Sequence, residues 1–136
     1  LGYPDAASEK ALLAARERRQ AIAELKPKLS SEQLLALRQQ ADGLHASAAA
    51  IEYAYALINS TRSDKRVRIG LSPRAGIGLL RAAKAHALLA ARTHVLPEDL
   101  QAVFVAVTRH RLVLAADASG DGAIISRDLL AHVPIP

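Results

Sequence analysis

The 136-residue sequence predicts an all-α fold, a small bundle of about five helices with at most a short β-hairpin. Three observations predict it. Ala and Leu dominate an apolar content of 51%, and both are strong helix formers, whereas strands favour β-branched and aromatic residues. Aromatics are scarce (Tyr3, Tyr53, Tyr55 and Phe104), and Trp, Met and Cys are absent. Apolar positions also recur at helical spacing: Ile51, Ala54, Tyr55 and Ile58 follow it, as do Leu100, Val103, Phe104 and Val107.

The elements follow in order. Pro4-Asp5 opens a first helix, with Asp5 as cap or first-turn acid. Leu12 and Leu13 give it an apolar side, and charges follow through Arg19. Ala21 to Leu25 extends this helix or forms a separate turn, and Pro27 then breaks it by disfavouring a helical Lys26. Ser30 and Gln33 fit a capping box that opens a second helix, whose buried face is expected from Leu34, Leu35 and Leu37 and whose end is marked by Gly43. A third helix is expected from Ser47 to about Arg62, and Ser63 to Leu71 reads as a polar, basic loop.

Ser72-Pro73-Arg74 starts the longest helix, expected to run to about Arg92. Ser72 is a natural N-cap, and Pro73 occupies the first helical position, where its missing N–H costs nothing. The many alanines that follow (Ala75, Ala82, Ala83, Ala85, Ala87, Ala90 and Ala91) allow neighbouring helices to approach closely. Thr93 to Leu96 is a connector, and Pro97-Glu98-Asp99 opens another helix with acids in its first turn. Arg111 to Leu114 suits a strand or a helix tail, with Lys28-Leu29 as a conceivable strand partner. Asp117 to Gly122 reads as a turn-rich loop, Ser126 to His132 as a last short helix, and Val133 to Pro136 as an extended end.

Composition excludes several functions. Without cysteine there is no disulfide, thiolate metal site or cysteine nucleophile, which fits a cytosolic protein. No apolar run approaches the roughly 20 residues that span a bilayer, so no membrane partner is expected. Leu1 to Lys10 is mixed and polar, unlike a signal peptide. The opening Leu1-Gly2-Tyr3-Pro4, with no initiator Met, points to a segment of a longer chain. Net charge is +5. Apart from Arg16-Glu17-Arg18-Arg19 and Arg62 to Arg68 the basic residues are scattered, so nucleic acid is not expected as a partner.

Two constellations bear on chemistry. The phosphate-binding pattern Gly-x-x-x-x-Gly-Lys-Ser/Thr is absent, so the chain has no means to hydrolyse a nucleotide unaided. Gly70 and Gly76 flank a helix cap and form no phosphate cradle. Arg74, however, leaves the first turn of the longest helix from a defined position. A helix start favours anions, and a guanidinium pairs bidentately with phosphate oxygens. The same residues also describe an ordinary capped helix with a solvated arginine. The second constellation is the stretch 117–128, which fits a twelve-residue calcium loop. It places Asp117, Ser119 and Asp121 at positions 1, 3 and 5, Gly122 at 6, Ile124 at 8 and Asp128 at 12. Against it, Asp128 is shorter than the usual bidentate Glu, no second such loop is present, and Asp-Gly pairs are common turns. The five histidines (His45, His86, His94, His110 and His132) show no ligand spacing with acids, and no Ser, His and Asp grouping suggests a hydrolase.

Several of these segments carry a resemblance, in the right order. Gly70-Leu71-Ser72-Pro73-Arg74-Ala75, followed by Leu79-Leu80-Arg81-Ala82-Ala83-Lys84-Ala85, resembles the sensor-2 segment of the MoxR family of AAA+ ATPases. Gly2-Tyr3-Pro4-Asp5 resembles that family's junction from ATPase core to helical lid, and Leu29 to Leu37 resembles the next lid helix. Val95 to Leu100, Arg109 to Leu112 and Val133 to Pro136 resemble its later helix, the exit from it and the C-terminal end. Leu71 departs from the small residue, often Ala, expected at that place. The resemblance covers nearly the whole chain and implies that residues 1–136 are a AAA+ lid whose ATPase core lies elsewhere, with 115–125 a variable loop. It implies a sensor-2 role at the γ-phosphate for Arg74, with Ser72, Pro73 and Arg74 as the cofactor-binding residues. ATP and Mg would then be held mainly by the core, with none expected on this segment alone. The implied partners are that core, neighbouring subunits of a ring, and a von Willebrand factor A-domain protein as client of a chaperone-like, cytoplasmic ATPase. The alternative is a calcium-binding helical module using Asp117, Ser119, Asp121 and Asp128.

Overall fold

The computed structural model describes residues 3–14, 22 and 24–136. The charged run Arg16 to Arg19 lies outside the described residues, as do Ala21 and Ala23 of the segment Ala21 to Leu25. The chain divides into two units, Leu1–Gln33 and Leu34–Pro136. In the first unit, α1 spans Ala6–Ala14. Asp5 caps it as expected: its carboxylate accepts the Ser8 backbone N–H and the Ser8 hydroxyl, both at 2.9 Å. The capping box at the start of α2 (Ser31–Gly43) also forms. Ser30 N–H donates to Gln33 Oε1 at 2.8 Å, and Gln33 N–H donates to Ser30 Oγ at 3.2 Å.

The second unit holds the core. Helices α3 (Ala48–Ser63), α4 (Pro73–Leu89), α5 (Pro97–Thr108) and α6 (Gly122–His132) enclose Tyr53, Leu57, Leu79, Leu100, Phe104 and Ile125. The fold is all-α with minor β elements. Leu100 and Phe104 face inward as their spacing predicts, and Ala75, Ala83 and Ala87 let α4 lie close to its neighbours. Burying apolar side chains supplies the driving force, roughly 1.5–3 kcal/mol for each large one. A polar pair sits within the packing: the Thr108 hydroxyl lies 2.8 Å from the Ser126 hydroxyl, which donates to the Gly122 carbonyl at 2.6 Å.

Two faces differ from expectation. Helix α3 buries Ala50, Tyr53, Ala54, Leu57 and Thr61, a stripe rotated from the expected one, so Ile51 and Tyr55 stay exposed. In α2, Leu34, Leu35 and Leu37 are exposed instead of forming a buried face. Helical spacing shows that an apolar side exists but not what covers it.

The short strands form two ladders. β1 (His45–Ala46) pairs in parallel with β3 (His94–Val95), inside the segment expected to be a mere connector. β2 (Val67–Ile69) pairs antiparallel with β4 (Val113–Leu114). Arg111 to Leu114 thus does contribute a strand, but its partner lies in the expected basic loop and not at Lys28-Leu29. Val67 is buried and points into the core, which fixes β2 where β4 passes.

Candidate functional site

The corner at Ser72-Pro73-Arg74 is built on the end of α3. Thr61 is fully buried there, and its hydroxyl donates to the Ile58 carbonyl at 2.6 Å. The same oxygen accepts the Leu71 N–H at 3.0 Å, while Arg62 Nε donates to the Leu71 carbonyl at 2.8 Å. Both backbone groups of Leu71 are therefore tied to α3. The approach requires glycine at position 70, because a Cβ there would stand 2.6 Å from the Thr61 carbonyl oxygen. Leu71, the departure from the family pattern, sends its side chain into the core.

Helix α4 then starts under tight control. Ser72 is extended (φ −72°, ψ 161°) and its hydroxyl accepts the Ala75 N–H at 3.2 Å. Its carbonyl accepts the Gly76 N–H at 3.1 Å. Pro73 has no N–H. Among the described residues this leaves Arg74 N–H as the one unpartnered amide of the turn. Arg74 is exposed, and no other described residue forms an ion pair or hydrogen bond with its side chain. Beside it, an apolar groove of about 230 Å³ runs between α3 and α4, bordered by Pro73 and Gly76 and lined by Ile51, Tyr55, Ile58 and Ile77. Pro73, the residue before Arg74, thus borders uncovered apolar surface.

The calcium-loop residues go elsewhere. Asp121 is the N-cap of α6 and accepts the N–H groups of Ala123 and Ile124, both at 2.9 Å. The Ile124 N–H, foremost, holds its carboxyl below the usual carboxylate range. Asp128 pairs with Arg66 at 2.8 Å, and Arg66 also binds Asp64 at 2.8 Å. Asp117 and Ser119 are exposed. Gly122, expected at the loop's sixth position, is the first residue of α6, where a Cβ would collide with the Arg109 backbone. Asp117, Asp121 and Asp128 do not gather into a group able to hold a metal ion. The expected loop thus becomes a helix cap, and the last helix begins four residues before Ser126.

Sequence reasoning missed a cluster around Asp99. This residue is fully buried at the third position of α5 and accepts the Leu96 N–H at 2.9 Å. It also accepts from His86 Nδ1 at 2.7 Å and from the Arg92 guanidinium. Burial alone would raise its carboxyl pKa, but the His86 hydrogen bond, the Leu96 N–H and the Arg92 charge together hold it below the ordinary value. The cluster ties the end of α4 to the start of α5. The acid in the first turn of α5 was legible; its partners on the preceding helix and connector carried no local signal.

The comparisons with known proteins agree with this architecture. Residues 59–131 match the model of the AAA lid domain family. The chain is 31% identical over 139 residues to the uncharacterized protein YeaC of Bacillus subtilis, covering 100% of this chain and 43% of that protein. It is 33% identical over 120 residues to the chaperone MoxR1 of Mycobacterium tuberculosis, covering 79% of this chain and 32% of that one. A crystal structure of a "putative ATPase" from Cytophaga hutchinsonii superposes with a TM-score of 0.77 at 26% identity, covering 100% of this chain and 45% of that one. The chain belongs to the AAA lid domain family and is a lid of the MoxR type. It spans less than half the length of the relatives it matches.

Proposed function

We propose that this lid supplies a sensor-2 arginine, Arg74, to ATP bound by an ATPase core that lies outside residues 1–136. The observation that carries the reading is a free, exposed guanidinium on the second residue of a helix whose start is fixed by Ser72, Pro73 and the Leu71–Thr61 bond. A guanidinium so placed suits the terminal phosphate, where it stabilises charge on the transferring group and couples hydrolysis to lid movement. The residues present fit one end of a phosphate and include no loop that would cradle the rest. ATP and Mg would therefore be held mainly by the core, and this segment alone should not turn over ATP. Ser72 and Pro73 act by positioning Arg74.

The apolar groove beside Arg74, with Ile51, Tyr55 and Ile77 uncovered, suits packing against the core. The whole protein would work in the cytoplasm as a ring-forming, chaperone-like remodelling ATPase, with a von Willebrand factor A-domain protein as a client. The test is Arg74→Ala in the protein that carries lid and core together: ATP turnover should fall while the lid stays folded. Unchanged turnover rejects the sensor role.

A further inference from the structure

The β1–β3 ladder places His45 directly opposite His94, with Ala46 opposite Val95. Residues paired across a ladder point to the same side, and successive residues alternate. Val95 is buried and Ala46 half-buried, so that pair faces inward; His45 and His94 are both exposed and share the outer face. Neighbouring strands lie about 4.8 Å apart, which lets two facing imidazoles converge on one ion at ligand distances of about 2.0–2.1 Å. Among the described residues the His45 ring makes no hydrogen bond, and the His94 ring makes one long contact, its Nδ1 lying 3.5 Å from the Thr93 hydroxyl. Both rings are free to turn toward a shared ligand.

We propose that His45 and His94 form a two-histidine site for a borderline divalent transition metal, zinc, nickel or copper. Imidazole pairs suit these ions, whereas magnesium and calcium prefer oxygen ligands. With two protein ligands, water completes the coordination, which makes the ion exchangeable. Its effect is mechanical: it fastens the connector between α2 and α3 to the connector between α4 and α5, and by binding only the paired form it stabilises the ladder. The proposal is independent of the role given to Arg74. No local pattern foretells the site, because the two histidines meet only through the ladder.

Calorimetric titration of the untagged 136-residue chain with zinc chloride, in a non-chelating buffer, tests it. One zinc per chain is expected, with affinity lowered about tenfold or more in His45→Gln and in His94→Gln, and unchanged in His110→Gln and His132→Gln. Circular dichroism confirms that the variants fold. In the wild type, zinc should move the imidazole proton resonances of His45 and His94 and leave those of His86, His110 and His132 in place. Absence of zinc binding at millimolar metal, binding that survives in both ladder variants, or resonances moving at other histidines overturns the proposal.

Discussion

The backbone N–H of Leu71 donates to the hydroxyl of Thr61 at 3.0 Å, and through this bond the end of α3 fixes the start of α4. The two residues bring together a buried hydroxyl, a glycine that admits the close approach, and the serine cap that follows. Arg74 takes its position from that chain of contacts.

Removing the Thr61 hydroxyl should therefore unsettle the corner. Thr61→Val leaves the Leu71 N–H buried without an acceptor and should cost about 1–3 kcal/mol. Thr61→Ser keeps the oxygen and should cost less. Gly70→Ala forces a methyl group against the Thr61 carbonyl, an overpacking of about 1–3 kcal/mol. Urea denaturation of the three variants checks the order.

Asp99 should matter more to stability than its place in an ordinary first turn suggests. Asp99→Ala strips the partner from His86, Arg92 and the Leu96 N–H, and we expect a loss of about 2–3 kcal/mol at neutral pH. The full cost of orphaning a buried charge is larger, but His86 and Arg92 keep part of their surface in water. The pH dependence has a definite sign. The folded carboxyl sits below its unfolded value, so its contribution is present above about pH 3.9 and is lost as pH falls through the folded value. The gap between wild type and Asp99→Ala, read from urea midpoints, should therefore narrow below about pH 4.

Asp121 and Asp128 should behave as structural residues. Asp121→Ala removes the cap of α6 and should cost about 1 kcal/mol. Asp128→Ala should cost at most about 1 kcal/mol, since Arg66 keeps Asp64 and the Arg66–Asp128 pair is partly exposed. For wild type and for each variant, the thermal midpoint measured with calcium should equal that protein's own midpoint measured with a chelator. A calcium-dependent rise confined to the wild type would restore the calcium-loop reading.

Much of the fold was legible because local chemistry dictates it. Asp5, the Ser30–Gln33 box, and Ser72 with Pro73 mark helix starts by the hydrogen bonds they make, and those bonds formed. The inward positions Leu100 and Phe104 followed from spacing. What failed was long-range. Nothing near Val67 says that Val113 will pair with its strand, and nothing near Asp99 names Arg92 and His86. Leu34, Leu35 and Leu37 have the spacing of a buried face yet remain exposed, because what an apolar stripe meets is decided outside the stripe. At the candidate site, Arg74 and its cap were readable, while Thr61 and Gly70, which hold the cap in place, were not.

The most direct measurement compares wild type with Arg74→Ala in the protein that carries this lid and its ATPase core. Arg74 is exposed and unpartnered among the described residues, so folding stability should change by no more than about 0.5 kcal/mol. Steady-state ATP turnover should fall about a hundredfold, the scale of losing one charge-stabilising donor. Turnover equal to wild type in a folded Arg74→Ala protein would contradict the central claim.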